Sequence, residues 1–318
     1  MILQKKSRHS AAAGKKTNKT KWLAIAVFTL TAAAIIAVLI LSYTRRDDAY
    51  ADKSEQDVSF VQSDGSVTVR FLDVGQGDCI LITSNNGKYV VIDAGTYERP
   101  GQVMKYLDSY GVDEIEYLIL THPDADHIGD ADEIVTNKKV KNVIMTNEAA
   151  TSATFASLVT ALETSEGTRI IEGTFGNTYR VGDMELSVIS PTEGYSGSSN
   201  DSSIVIMAEY GKTRFLFTGD AETSAEADMI HIMGEKLDCD VLKIAHHGSS
   251  SSSSEEFLKY TSPLYAVISC GENNDYGHPH GIIIERLKKL GLSYFRTDEN
   301  GTVTFTSDGA VIGTETER

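Results

Sequence analysis

The chain is poor in cysteine and, past residue 46, poor in positive charge. Only Cys79, Cys239 and Cys270 occur among 318 residues, each inside or bordering an apolar run. So few, and an odd number, exclude a disulfide framework and read as buried thiols. Of the 29 Lys and Arg, nine fall in residues 1–46. The other 20 face all 45 Asp and Glu, a net charge of about −25. Acid on this scale keeps a domain soluble and works against generic polyanion binding, but leaves room for a local cationic or metal-centred site. No repeat of fixed period is present, and the only low-complexity tract is Ser249–Ser254.

The N-terminus reverses this balance. Residues 1–21 carry seven Lys and Arg and no acid, and Trp22–Tyr43 then runs 22 residues without a charge. That length crosses about 30 Å of hydrocarbon as a helix, with Trp22 and Tyr43 at the two interfaces. A cleaved signal peptide is the alternative, since Ala49–Tyr50–Ala51 has the form of a cleavage site. The length of the span and the charges at 45–48 favour an uncleaved anchor. The cationic flank then places residues 1–21 in the cytoplasm and the remainder outside the cell, on a single-pass cell-membrane protein. The expected division is a basic tail (1–21), an anchor (22–43), a polar linker (44–66) and a domain over 67–318.

Within that domain, short β-rich runs alternate with helical ones. "VTVRFLDV", "CILIT", "YVVIDAG" and "YLILTH" read as strands, followed by "ELSVIS", "SIVIMAEY", "RFLFTGD", "DVLKIAHH", "YAVISCG" and "TVTFTS". Helical patterns fall near 101–110, 127–135, 153–163, 221–233, 254–260 and 280–290. This is an α/β pattern of two sheets with helices outside.

The chemistry gathers where these strands stop. "THPDADHIG" (121–129) places His122, Asp124, Asp126 and His127 in six positions, in a loop kept from helix by Pro123. Other strands end at Asp220, at His246 and His247, and before His278 and His280. Six of the eight histidines thus lie in three clusters. Independent surface histidines would not group this way, and a shared metal site explains it. Weaker signals are the glycine-rich "DVGQGD" (73–78), which fits an anion cradle or a hairpin turn, and Asp93, which fits a support for the ligand loop or a turn cap. The serine tract after His247 reads as a flexible solvated loop, with Ser249 its candidate substrate contact.

These residues resemble a known family. "HPDADH" is similar to the His-x-His-x-Asp-His signature of the metallo-β-lactamase superfamily, with Asp124 at the second histidine. "FLDVGQGDCILI", "HPDADHIGD", "NDSSIVI", "FTGDAE", "LKIAHHGSS" and "YGHPH" follow the order of ComEC-type competence hydrolase domains, over about residues 67–308. The resemblance implies an αββα sandwich with a dinuclear site at the sheet edge. His122 and Asp124 would hold one ion, Asp126 and His127 the other, with Asp220 bridging. His246 or His247, the latter favoured, would complete the second ion's set. No histidine occurs between His127 and His231, so Asn200 or Asp201 is the expected replacement for a ligand many relatives carry there. Oxygen-rich ligation favours Mn²⁺ as well as Zn²⁺, and two such ions activate water near neutral pH and stabilise charge on an attacked phosphoryl group. Asp126, His278 and His280 are the expected catalytic residues, His278 or His280 protonating the leaving oxygen.

The expected function is a membrane-anchored extracytoplasmic phosphodiesterase acting on DNA, with no obligate protein partner. A hydrolase of a small cell-envelope phosphodiester, such as teichoic-acid phosphocholine, is the enzymatic alternative, and a binding protein with a relict site the non-enzymatic one.

Overall fold

The computed structural model describes residues 65–192 and 197–318. The expected tail and anchor, and the linker as far as residue 64, lie outside the described residues. Among those described, no helix is long and apolar enough to cross a membrane.

The first half of the domain runs β1 (Val67–Phe71), β2 (Ile80–Thr83), β3 (Tyr89–Ile92), α1 (Gln102–Ser109), β4 (Glu114–Ile119), α2 (Ala131–Asn137), β5 (Lys139–Met145), α3 (Ala153–Thr164) and β6 (Arg169–Glu172). The second runs β7 (Thr178–Val181), β8 (Met184–Ser190), β9 (Val205–Tyr210), β10 (Thr213–Phe217), α4 (Thr223–Met233), β11 (Val241–Lys243), α5 (Glu255–Thr261), β12 (Tyr265–Ile268), α6 (Gly281–Lys289) and β13 (Ser293–Arg296). A short α7 (Thr297–Asn300) then leads to β14 (Val303–Ser307) and β15 (Ile312–Thr316), which return to the first sheet.

Two sheets result, in the orders 15-14-1-2-3-4-5-6 and 13-12-11-10-9-8-7. Alternation along β2 shows why both faces of the first sheet are covered. Ile80 and Ile82 face the second sheet and pack with Phe71, Phe215, Phe217 and Phe305. Leu81 faces the other way, onto Val103 and Leu107 of α1, Ile134 of α2 and Leu158 of α3. In the second sheet β10, β11, β12 and β13 are parallel neighbours, joined through α4, α5 and α6. Crossovers of one hand place all three helices on one face, and the other face is taken by the first sheet. The fold is a four-layered α/β sandwich.

Five strands expected from neither alternation nor apolar runs are present. Four of them, β6, β7, β13 and β15, are sheet edges, where exposed positions dilute the pattern.

The topology brings several chain turns to one edge. β3 and β4 are parallel, as are β10, β11 and β12, so their carboxyl ends deliver Asp93, His122, Asp220, His246–His247 and the 271–280 loop. Such ends are where α/β sheets present ligand-binding loops.

Candidate metal centre

The loop after β4 is pinned before it presents its ligands. His127 N–H donates to the Asp124 carbonyl at 3.0 Å, closing a turn, and Gly129 N–H donates to Gly95 O at 2.8 Å. A Cβ at Gly129 would lie 2.4 Å from the Thr96 carbonyl carbon, so glycine is required for the loop to press on the 95–97 turn. Helix α2 consequently begins at Ala131, later than the expected start near His127. The "DVGQGD" loop packs on the same turn, with Asp78 N–H donating to Asp126 O at 3.2 Å. It closes the β1–β2 hairpin and inserts the buried Asp78 carboxylate into the centre.

Three imidazoles are fixed from behind. His127 Nδ1 donates to Asp93 Oδ2 at 2.8 Å, and Asp93 also receives the Thr121 hydroxyl and amide at 2.8 Å each. His247 Nδ1 donates to the Ser269 carbonyl at 2.9 Å. His122 Nδ1 lies 3.1 Å from Thr121 Oγ1 and 3.3 Å from Ser203 Oγ. Holding Nδ1 leaves each Nε2 free to act as a ligand.

These Nε2 atoms converge on Asp220. His127 Nε2 is 3.2 Å from Asp220 Oδ1, while His247 Nε2 is 3.5 Å from Oδ2 and 3.3 Å from Asp126 Oδ2. Ligand-type atoms form four overlapping groups, His122–His127–Asp220, Asp126–His127–His247, Asp78–Asp220–His247 and Asp78–Asp93–His127, each within 4.8 Å. The two oxygens of Asp220 therefore face different neighbours, as a bridging carboxylate would. Asp124 sits at the rim, about half exposed, with Oδ2 3.7 Å from His122 Nε2.

A divalent ion fits this donor set. His122 Nε2, His127 Nε2, His247 Nε2, Asp220 Oδ1 and Asp78 Oδ1 are all buried without a hydrogen-bond partner. Buried polar groups are rarely left so, and imidazole with carboxylate is the donor chemistry of Zn²⁺ and Mn²⁺. Protons take up the charge in the metal-free state. Burial works against a charged His247, yet Asp220, Asp126 and Asp78 overcome it and raise the ring to about 10. The same balance lifts His127 well above its ordinary value, through Asp220 and Asp93. Burial, reinforced by charge on His127, depresses His122 to about 4. Behind the cluster, the fully buried Lys243 ammonium lies 2.7 Å from Asp78 Oδ2.

Other expected site residues sit further out. His246, less buried than His247, has Nε2 3.7 Å from Asp220 Oδ2 and Nδ1 3.2 Å from Glu222 Oε1. Both histidines lie in the left-handed region, at φ 50° and 51°, a strain of about 1–3 kcal/mol each that places two adjacent rings on one side. Asn200 Nδ2 is 3.5 Å from His246 Nδ1. Asp201, expected as a replacement ligand, instead accepts from the amides of Glu222 and Ala225 at 3.0 and 3.3 Å. Its charge answers the N-terminus of α4. Two serines of this segment reach the centre: Ser203 touches His122 and accepts from Asp220 N–H at 3.1 Å, and Ser199 donates to Asp124 Oδ1 at 3.2 Å.

The serine tract is not a solvated loop. Ser252 and Ser253 are buried, Ser254 N–H donates to Glu226 at 3.0 Å, and Ser249 pairs with Ser251 at 2.9 Å. His280 is tied at the start of α6, its Nδ1 accepting from Ser250 N–H at 2.9 Å. His278 stacks under Tyr276 and lies 5.5 Å, ring to ring, from His246. Burial and the neighbouring His247, His246 and His280 depress it to about 4. Asp78, Lys243 and Glu222 were not expected, although all three lie inside quoted motifs, "DVGQGD", "DVLKIAHH" and "FTGDAE", where the glycines, the histidines and Asp220 drew attention away from them.

Beside the cluster opens a cleft of about 360 Å³, whose lining includes Asp124, Asp126, Tyr97, Glu98 and Tyr276.

Comparison with known proteins agrees with this fold. The family model described as Metallo-beta-lactamase superfamily matches residues 72–272. ComE operon protein 3 of Bacillus subtilis is 30% identical over 262 residues, covering 77% of this chain and 33% of that protein. Recombination protein 2 of Haemophilus influenzae is 31% identical over 237 residues, covering 73% and 28%. The chain thus spans about a third of the length of these relatives. CmlA from Streptomyces venezuelae, titled a diiron beta-hydroxylase, shares the fold with a TM-score of 0.50 at 15% identity, over 81% of this chain and 55% of that one.

Proposed function

The chain belongs to the metallo-beta-lactamase superfamily, and from that premise we propose that it is a metal-dependent phosphodiesterase acting on DNA. The observation that carries this reading is the set of buried, unpartnered Nε2 and carboxylate oxygens that meets at Asp220 beside an open cleft. The names of the relatives, a competence-operon protein and a recombination protein, motivate DNA.

His122, Asp124 and Asp220 would hold one divalent ion, and Asp126, His127, His247 and Asp220 a second. Bound ions supply Lewis acidity and an activated water at neutral pH. The protein's own part is orientation: Asp93, Ser269 and Thr121 hold the three imidazoles at the tautomer that presents Nε2. His246 is the proton carrier this geometry favours over His278. It is the more accessible member of its pair, and Glu222 orients its ring from behind, the arrangement of a general acid–base histidine with a carboxylate partner. His278 packs against it.

We further propose that residues 22–43 anchor the chain, with this domain outside the cell. Protease added to intact cells should digest the domain; protection of the domain with cleavage of an N-terminal tag would reverse the orientation.

The enzymatic reading is tested on the full-length chain with Mn²⁺ or Zn²⁺, against DNA, a nitrophenyl phosphodiester, a phosphocholine ester and a β-lactam. Cleavage of the two diesters, abolished by chelator, is the expected result. Hydrolysis of the β-lactam alone, or no hydrolysis with two ions bound, would overturn it.

A further inference from the structure

The cleft beside the metal centre has two features the proposed chemistry leaves unused. Tyr97 and Tyr276 are 57% and 66% exposed, the two most exposed large apolar side chains among the described residues, and both line it. No lysine or arginine does.

Both rings are mounted on the catalytic framework. The Tyr97 amide donates to Ala125 O at 3.2 Å, inside the ligand loop. Tyr276 stacks on His278, with centroids 5.6 Å apart and planes 22° from parallel, so one face is covered and the other is free. Asp126 and Glu98, after partial burial, raise the Tyr276 phenol, consistent with these groups facing one space. A rigid aromatic ring with one face backed and one face open is a stacking platform. Cation capture, by contrast, calls for several ring faces turned on one point.

The carboxylates decide how a strand could be gripped. Asp124 and Asp126 belong to the metal-binding set, so bound cations answer their charge. Glu98 has no such partner there and repels phosphate. A nucleic acid whose scissile phosphate lies at the ions would meet no cation along this wall for its next phosphates. Its bases would meet two tyrosines.

Resting on the phosphodiesterase reading above, we propose that Tyr97 and Tyr276 form a clamp for unpaired bases next to the scissile bond. The substrate is then a single-stranded nucleic acid or a frayed end, held by stacking and not by phosphate–cation contacts. A duplex hides the ring faces of its bases, whereas every unpaired base offers one.

The test uses the full-length, metal-loaded chain with a labelled single-stranded oligonucleotide, its duplex, and a copy lacking the bases around the cleavage site. Anisotropy gives affinity and steady-state cleavage gives KM and kcat. Stacking contributes about 1–3 kcal/mol per base, so Y97A and Y276A should each weaken single-strand binding, and raise KM, about 5- to 150-fold. Y97F and Y276F keep the ring and should retain binding. Removing the bases should cost the parent a similar factor, and the Ala substitutions should add nothing further on that substrate. Between 50 and 200 mM salt, affinity should fall less than tenfold, against about 10³–10⁵ for a protein with six to ten phosphate contacts.

Unchanged binding by both Ala variants, a steep salt dependence, or equal cleavage of duplex and single strand overturns the clamp. So does a tyrosine-dependent hydrolysis of glycerophosphocholine with oligonucleotide cleavage unaffected, which would make the rings a cation cage. Parental cleavage of a methyl nitrophenyl phosphodiester separates the two readings. Its absence defeats the phosphodiesterase assignment itself; its presence with tyrosine-independent strand binding defeats only the clamp.

Discussion

Replacing Lys243 by methionine keeps its length and removes its charge, which isolates a single buried ion pair. The ammonium is fully buried, 2.7 Å from Asp78 Oδ2, and donates to Ile244 O at 3.0 Å. Asp78 is 2% exposed at its side chain, and its Oδ1 already lacks a hydrogen bond. Its remaining cationic neighbours, His247 Nδ1 at 3.4 Å and His127 Nδ1 at 4.0 Å, are engaged with Ser269 and Asp93. Losing Lys243 therefore strands a carboxylate in the interior, for which the expected cost is about 3–5 kcal/mol. At roughly 2–4 °C per kcal/mol for a domain of this size, the metal-free midpoint should drop by about 6–20 °C. The check is urea and thermal unfolding of the parent, K243M, D78N and K243M/D78N. The double variant should be more stable than the sum of the two single losses implies, by about 0.5–3 kcal/mol. A loss below about 1 kcal/mol in K243M, or strict additivity in the cycle, would refute the claim that this pair balances charge behind the centre.

Three further outcomes follow from the site. Asp220→Ala should lower occupancy of both ions together, measured by elemental analysis, because Asp220 shares one ligand group with His122 and another with His247; loss of one ion only would exclude a bridging role. Metal affinity should rise with pH between 6 and 8, by up to about tenfold per unit for each proton displaced. The sign follows from His247: raised from 6.5 to about 10, it carries a proton over this range that an incoming cation must expel. By the same linkage its contribution to metal-free stability is complete below 6.5 and is lost as pH climbs through about 10. Calorimetry in buffers of different ionisation enthalpy checks proton release, and a flat affinity would contradict it. His246→Ala should slow an unactivated diester about 10²–10⁴-fold with much less effect on a nitrophenyl ester, whereas His278→Ala should show a smaller split; the reverse ranking returns the proton to His278.

Much of the domain was legible because its interior strands obey one rule. Runs such as "CILIT" and "YVVIDAG" are apolar on both faces, and each sits between two layers. β6 and β7 hide little: Arg169, Ile170, Glu172, Thr178 and Arg180 are all exposed, and what makes them strands is the neighbour, which no local window contains. β5 was missed for a different reason, its lysines at 139 and 141 pairing with Glu114 and Glu116 across the sheet. The histidine clusters were readable since ligands bunch at strand ends. What local reading could not supply was rank within a cluster. Choosing between His246 and His247 depends on two left-handed residues and on Ser269, which is remote in sequence. Asp201 looked like a ligand until α4 was placed against it.

The atoms that meet at Asp220 come from Asp78, the loop after β4, the end of β10 and the end of β11, so they belong to both sheets. In a chain whose three cysteines form no disulfide, a bound cation would cross-link the two halves. It would act as a clasp, joining stretches distant along the backbone and making the docking of one sheet on the other depend on ion concentration. Any ion held at a hundred times its dissociation constant adds about 2.7 kcal/mol to the folded state. Chelation would then loosen the sandwich at its catalytic edge as well as silence it, and resistance to proteolysis would track the free metal around the protein.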